Sequence, residues 1–391
     1  MNNYRKSEKV FSTSTGEKYH EDFDLHYHLK RWVYLGGLPR KDMMEMGKKI
    51  NNQNEAIVEF IKKGEKLAAN GSFKQAGACF RGASFFLRAD DPRKKEAVRK
   101  AVEYFDTGTQ KELVAHGIVR ENITVNYKEK SIQIPVYRSE TIDPSKETIL
   151  LHGGFDSTLE DLLSMTIDAS RRGYQIISFD GPGQGGVLQN GITMDHDWES
   201  IVTPLVDYFE LSDVVLVGIS MGGYLAARAA AYEKRIKKVV IWGAMYDFQD
   251  VLLSKQPLAL KYLTKFLLKI KAFPILYGIV WLLSRINPLV SWGVAHGQKV
   301  LGASSPYQLL VKAGSFNISS SVKNIKQPVL ILMGRNDHLV PFYQLDKVVR
   351  GLKNAQTVTA KIYNPASFGE DHCQIGNFNL TMDDIFKWLN N

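Results

Sequence analysis

Two cysteines, Cys79 and Cys373, are all that 391 residues contain. That is too few for a disulfide framework or a clustered zinc site, so no structural metal is expected, and it fits a reducing compartment. Long apolar runs are missing too. The most apolar stretch, FPILYGIVWLL at 273–283, is too short to span a bilayer, with Pro274 near its start and Arg285 just past its end. The opening MNNYRKSEKVFSTSTGEKYHEDF has no apolar core of the kind a secretory leader carries, and a cytoplasmic chain is the expectation. Phosphate-binding signatures are absent as well. The glycines of SFDGPGQGGVLQNG (178–191) match neither a G-x-x-x-x-G-K-S/T loop nor a dinucleotide fingerprint with its downstream acid. They read as a loop at the C-terminal edge of a sheet. Acid is missing from one long segment: residues 251–336 hold 11 Lys/Arg and no Asp or Glu, in a chain of net charge +9. No nucleic-acid-binding motif accompanies this charge, so nucleic acid is not an expected partner.

What is present is ordinary for a globular protein, with 44% apolar and 23% charged residues and length enough for two domains. Residues 1–120 read as a helical domain. NNQNEAIVEFIKKGEKLAANG (51–71) spaces Ile57, Val58, Phe60, Ile61 and Leu67 for one helix face and stops at Asn70-Gly71. Ser72 then caps a second helix, and Pro92 opens a third that the glycine rule ends at Gly108. The small-residue helix pairs have the texture of a repeat array, but no fixed period supports one. From about Gly117 the pattern changes. GIVRENITVNYKEKSIQIPVYRS alternates apolar and polar residues like a half-buried hairpin. Short apolar runs follow: TILL (148–151), QIISF (175–179), VVLVG (214–218), KVVIW (238–242) and PVLILMG (328–334). Helical segments separate most of them, which is the signature of an α/β domain with a mainly parallel sheet over 121–391. The gap before PVLILMG is too long for a simple crossover, and a helical cap inserted at about 247–322 is expected.

The chemistry concentrates in VVLVGISMGGYLAARAAA. Gly218-Ile219-Ser220-Met221-Gly222 fits G-x-S-x-G between a β-branched strand and an Ala-rich helix, the setting of a nucleophile elbow. There Ser220 stands on a strained turn and the Met221 N–H serves as an oxyanion donor. A plain Gly-rich turn is the bland alternative. A second donor is expected from HGGFDS, at Gly154 or Phe155, between which the sequence does not choose; His152 reads as a loop-orienting residue. With such an elbow the acid and then the histidine follow in chain order. Asp337, just past PVLILMG, fits the acid, although an Asp there also suits an Asx turn. His338 is its neighbour but faces elsewhere if Asp337 points inward. His372 is the one histidine downstream of His338 and becomes the base. Its neighbours in GEDHCQIG, Glu370, Asp371 and Cys373, then read as loop-shaping and packing residues. MDHDWES (194–200) could line the site or simply begin a solvated helix.

The motifs HGGFDS, FDGPGQGG, GISMGG, GRNDHLVP and EDHCQIG, behind a helical N-terminal domain, resemble one group of α/β-hydrolases. It includes relatives of the fermentation–respiration switch protein, the fungal yellowish-green pigment hydrolases and 2,6-dihydroxypseudooxynicotine hydrolase. The resemblance implies an α/β-hydrolase fold, a triad of Ser220, Asp337 and His372, no cofactor, and cleavage of a C–C bond beside a ketone or of an ester. It also implies, for some C–C hydrolases, an assisting acid, for which Asp247 or Asp250 lies in the right region. The expected function is a serine hydrolase acting through an acyl-enzyme on a small acylated or polyketide-like, apolar and anionic molecule. A general carboxylesterase or peptidase-like hydrolase is the alternative within the class. A non-catalytic binding protein is the alternative outside it. Asp156, Asp247, Lys261 and Lys265 are the candidate substrate contacts. Lys261, Lys265 and Lys269 recur every four residues opposite Leu260, Leu263 and Leu267. This basic face has three readings: a solvated helix surface, a site for the substrate's negative charge, or a contact with a membrane surface. The N-terminal helices could serve a homodimer.

Overall fold

The computed structural model describes residues 5–9, 16–88 and 90–391; the rest, which include part of the stretch searched above for a leader, lie outside it. Among the described residues nine strands form one sheet: β1 (Arg5–Lys9), β2 (Ile118–Tyr127), β3 (Lys130–Ser139), β4 (Thr148–His152), β5 (Gln175–Phe179), β6 (Val214–Ile219), β7 (Ile236–Trp242), β8 (Val329–Gly334) and β9 (Val358–Tyr363). Their order is β1-β9-β8-β7-β6-β4-β5-β3-β2. The β2–β3 and β3–β5 pairs are antiparallel and the others are parallel, so the expected hairpin forms one edge of a mainly parallel sheet. The central strands read as unbroken apolar runs because both of their faces are covered. Along β8, Val329, Ile331 and Met333 enter one core, while Leu330 and Leu332 enter the core on the opposite face. β6 divides in the same way, with Val214 and Leu216 on one side and Val215 and Val217 on the other. β1, in the segment expected to be helical, and β9, VTAKIY, are not among the strands expected; β1 joins the sheet as the parallel neighbour of β9. In β9 the polar Thr359 and Lys361 interrupt the apolar run that marks a buried strand.

The N-terminal domain has a core of its own, built around Trp32, Met43, Phe60 and Cys79. Its helices are Phe23–Tyr34, Arg40–Gly47, Gln53–Ala69, Phe73–Phe86 and Arg93–Ala115. Two local expectations change. Ser72 occupies the N-cap position of its helix, but its side chain makes no capping bond. The helix opened by Pro92 runs through Gly108 to Ala115. A Cβ at Gly108 would collide with the backbone of Lys74, so this glycine allows two helices to approach closely rather than ending one.

Between β7 and β8 the helices Phe248–Leu252, Leu258–Lys269, Phe273–Ile286, Pro288–Leu301 and Pro306–Ser315 make up the inserted cap. No helix among the described residues is long and apolar enough to cross a membrane.

Candidate active site

The turn between β6 and the helix Gly222–Ala230 holds Ser220 at φ +62°, a left-handed conformation that costs a non-glycine residue on the order of 1–3 kcal/mol. Neighbouring backbone keeps it there. The Ser220 N–H donates to the Trp242 carbonyl (2.6 Å) and the Gly223 N–H donates to the Ser220 carbonyl (2.9 Å). Both flanking glycines of the motif are required by contact. A Cβ on Gly218 would strike the Gly222 carbonyl, and one on Gly222 would lie 2.6 Å from the Gly153 carbonyl.

Three residues remote in sequence meet at this turn. His372 Nε2 lies 2.8 Å from Ser220 Oγ, and His372 Nδ1 lies 2.8 Å from Asp337 Oδ2. Asp337 also performs the turn role that competed with this one. Its other oxygen, Oδ1, accepts the N–H groups of Leu339 (2.9 Å) and Val340 (2.8 Å). These bonds lock the carboxylate so that Oδ2 can face only the imidazole. Burial by itself would lower the His372 pKa, but the Asp337 charge, the neighbouring Cys373 and the hydrogen bonds to both together outweigh it, and the net shift is well upward. Burial pushes Asp337 up, and the His372 charge and hydrogen bond bring it below the usual carboxylate value. Cys373 is buried beside the histidine at φ +53°, in the core that includes Trp242 and Phe378, which is the packing place expected for it. His338 does not turn away as expected: it is edge-on to Phe23 and Tyr27, and its ring centre also lies 6.2 Å from that of His372.

The loop after β4 lies against the elbow. A Cβ on Gly154 would be 2.8 Å from the Met221 amide nitrogen, so the backbone of this loop touches the start of the elbow helix. His152 is fully buried, stacks near Trp198 and Phe179, and bonds through Nδ1 to the Gly153 carbonyl (3.0 Å). Burial lowers its pKa to about 4, which leaves a neutral orienting residue. A residue without any signature in the sequence completes the support. Gln184, in the FDGPGQGG loop after β5, is 1% exposed. Its Oε1 accepts from the Gly181 N–H (2.9 Å), which fixes the amide so that Nε2 donates to the carbonyls of both Gly153 (2.8 Å) and Gly154 (3.0 Å). Those two carbonyls belong to the peptide units that carry the Gly154 and Phe155 N–H groups. In a trans peptide, C=O and N–H point oppositely, so holding the carbonyls aims the N–H groups away from Gln184. The placement expected of this glycine-rich loop, at the C-terminal edge of the sheet, holds, and it reaches the site through a glutamine.

A parallel sheet, a strained serine at a strand–helix turn and a histidine–carboxylate pair behind it are now accompanied by a sequence match. Residues 148–361 fit the family model described as Alpha/beta hydrolase family. The chain belongs to the alpha/beta hydrolase family. It is 30% identical to Hydrolase acrC of Aspergillus aculeatus over 364 residues, which is 86% of this chain and 83% of that protein. It is 26% identical to 20-hydroxy-prefusarin hydrolase FUS2 of Gibberella moniliformis, over 83% of this chain and 81% of that one. Among solved structures, the 2,6-dihydroxy-pseudo-oxynicotine hydrolase superposes with a TM-score of 0.63 at 22% identity, covering 92% of this chain and 94% of that one. The N-terminal helices are therefore part of the matched architecture. This chain is a hydrolase of that superfamily.

In this hydrolase the N-terminal domain grips both loops of the site. Tyr27 donates to the His372 carbonyl (3.2 Å), Tyr34 to the Gly376 carbonyl (2.7 Å), and Lys30 pairs with Asp371. Arg31 pairs with Asp156 (2.5 Å) and Asp161 (3.1 Å), while Arg81 pairs with Asp161 (2.9 Å) and donates to the Asp156 carbonyl (2.6 Å). Asp156, expected to meet substrate, is thus a clamp residue: burial pushes its pKa up, and Arg31 and Arg81 reverse the shift to well below the usual range. From the cap, His296 donates through Nε2 to the Phe155 carbonyl (2.9 Å) and stacks on Trp292 at 4.8 Å. A cleft of about 950 Å³ opens where the three parts meet, lined by Arg81, Phe85, Phe155, Asp156, Trp292 and His296 among others. Phe155 lines this cleft, whereas Ser220, Met221 and His372 do not.

The remaining candidates have other occupations. Asp247 caps the helix Phe248–Leu252 through the Asp250 N–H (2.9 Å) and accepts from Asn317 (2.9 Å). Asp250 is buried and holds Lys261 (2.7 Å), Lys265 (3.0 Å) and Lys347 (3.2 Å), with Tyr343 donating at 2.8 Å. Lys261 and Lys265 are therefore committed to a buried carboxylate that needs them. They do not form an anion site, and both Asp247 and Asp250 are engaged in hydrogen bonds or ion pairs of their own. Around MDHDWES, Asp195, His196 and Asp197 cluster closely enough to suggest a metal site, but the Lys128 ammonium already lies 2.5 Å from Asp195 and 3.2 Å from Asp197.

Proposed function

We propose that this chain is a serine hydrolase working through an acyl-enzyme. The observation that carries the reading is the relay Ser220–His372–Asp337, with both links at 2.8 Å on a strained elbow. Ser220 Oγ attacks a carbonyl carbon as His372 Nε2 takes its proton, and Asp337 holds the Nδ1–H and offsets the imidazolium charge. The tetrahedral oxyanion is received by the Met221 N–H and by an N–H of the Gly154–Phe155 segment. None of these three amides donates to a backbone acceptor among the described residues outside helices and strands. Collapse breaks the bond to the leaving group, which takes the proton from His372. An alkoxide or amine is protonated on the heteroatom; a carbanion stabilised by a neighbouring ketone is protonated on carbon. Water, deprotonated by His372, then releases the acid and restores Ser220.

The substrate is a small acylated or polyketide-like molecule. Two features support an apolar one: the aromatic residues Phe155, Phe248 and Phe316 beside the elbow and the match to fungal hydrolases such as 20-hydroxy-prefusarin hydrolase. Lys261 and Lys265, bound to Asp250, give no argument for a negative charge on it. The test is labelling by a fluorophosphonate probe, expected on wild type and lost in Ser220→Ala, followed by turnover of p-nitrophenyl esters, β-diketones and N-acyl compounds. Near-wild-type turnover by Ser220→Ala would overturn the reading.

A further inference from the structure

The outer face of the cap is built inside out. Of 19 large apolar side chains that are exposed among the described residues, 11 lie between Leu258 and Ile286, each 46–71% exposed. They cover two consecutive helices, Leu258–Lys269 and Phe273–Ile286. Tyr262, Phe266 and Ile270 form one stripe at four-residue spacing, and Tyr277 and Trp281 continue it on the second helix. The inward faces bury only Thr264 and Leu267 on the first helix and Leu276 and Val280 on the second. An amphipathic helix of a globular protein normally points its apolar stripe at the core, and a contiguous exposed patch of this extent marks a surface that is covered in use.

The charges around the patch identify the cover. Lys269, Lys271 and Arg285 are exposed around it and form no ion pair among the described residues, in a segment without a single acid. The Arg285 guanidinium sits 4.6 Å from the centre of the Trp281 ring. Exposed Trp, Tyr and Phe interleaved with Lys and Arg match the boundary between lipid headgroups and acyl chains. A second copy of the chain fits less well. A two-fold interface sets a patch against itself and would bring these unpaired cations together without a counter-charge. Neither helix is long enough to cross a bilayer, so both would lie along its surface.

We propose that this face of the cap docks on the surface of an anionic lipid bilayer. The inference is independent of the serine-hydrolase reading, but it complements it. The docking helix Phe273–Ile286 leads directly into the helix that holds His296 against Phe155 and Trp292 against Phe85, so a lipophilic substrate leaving the bilayer would meet the cap beside the cleft. The experiment is co-sedimentation of the full chain with phosphatidylcholine vesicles, with and without about a third phosphatidylserine. Binding is expected to the anionic vesicles and to weaken with salt, because screening shortens the reach of the charges. Phe266→Asp with Trp281→Asp should reduce it by about tenfold or more. Lys269→Gln and Arg285→Gln should each cost about fivefold on anionic vesicles and little on neutral ones. Thermal melts that match wild type establish that the variants fold, whether or not turnover is measurable. Absence of vesicle binding, equal binding by the aspartate variant, or a dimer in solution that the aspartate variant dissolves would overturn the proposal.

Discussion

Gln184 offers the sharpest test of how the site is held. It is buried, touches no reacting atom in the proposed mechanism, and donates to the two carbonyls whose peptide units carry the Gly154 and Phe155 N–H groups. Gln184→Ala would orphan those carbonyls and the Gly181 N–H. A buried group left without its partner costs about 1–3 kcal/mol, so a stability loss of about 2–4 kcal/mol is expected after partial relaxation. The catalytic effect is separate. Removing an oxyanion donor outright costs about 10²–10³ in kcat. Loosening the peptide that aims it should cost part of that, about tenfold to a hundredfold. Gln184→Glu is the more incisive change. It keeps the volume and the acceptor for Gly181 but replaces a donor with an oxygen facing two carbonyl oxygens. Its kcat should fall further than that of the alanine variant, with KM nearly unchanged, and fluorophosphonate labelling of Ser220 should slow in parallel. The assay is steady-state turnover of a p-nitrophenyl ester beside a urea melt. If either variant folds, melts lower, and keeps kcat within about twofold of wild type, Gln184 is a packing residue and the positioning argument fails.

Three further outcomes follow from the geometry. His372 must be neutral to act as base, and its pKa is raised, so kcat/KM should fall on the acid side with a midpoint above that of a free imidazole, about 6.5. Asp337→Asn removes the main raising influence and should move that midpoint down while lowering kcat by about 10⁴; an unmoved limb would assign it to another group. Arg31→Met removes the ion pair of the Asp156 carboxylate and leaves Asp161 with Arg81, and it should destabilise the fold by about 3 kcal/mol in denaturant melts, the cost of breaking a buried pair; a change below about 1 kcal/mol would show that the nearby Arg81 suffices. Asp250 is buried, which raises its pKa, but bonds from Lys261, Lys265, Tyr343 and Lys347 lower it overall. A depressed folded-state pKa stabilises above the unfolded value of about 3.9 and loses that contribution as pH falls below it. The melting difference between wild type and Asp250→Asn should therefore be full at neutral pH and shrink below about pH 4, and a constant difference would refute the pairing.

The parts of the site that could be read in the sequence are those governed by short-range rules. G-x-S-x-G is legible because a left-handed serine between a strand and a helix tolerates no Cβ at Gly218 or Gly222. Asp337 and His372 are legible through chain order, although 35 and 152 residues separate His372 from its two partners. The central strands are legible because burial on both faces leaves no polar alternation. β9 was not, since polar residues break its run. The support around the triad was not legible either. Gln184, Arg31, Arg81 and His296 sit in loops and helices whose local patterns would be equally at home on a surface. The cap lysines were legible as a charged face but not as partners of Asp250, because their spacing says which side they share and not what lies opposite.

By itself the sequence determined the backbone geometry of the elbow, the parallel sheet that carries it, the order of the three site residues and the existence of an acid-free cap. Each is a matter of periodicity, glycine sterics or chain order, which act over a few residues or along the chain. Only the tertiary structure decided which cations meet which carboxylates, which glutamine orients the loop beside Ser220, and that the apolar faces of the cap turn outward. Those outcomes depend on contacts between segments far apart in the chain, where burial makes a pairing obligatory without leaving a local mark.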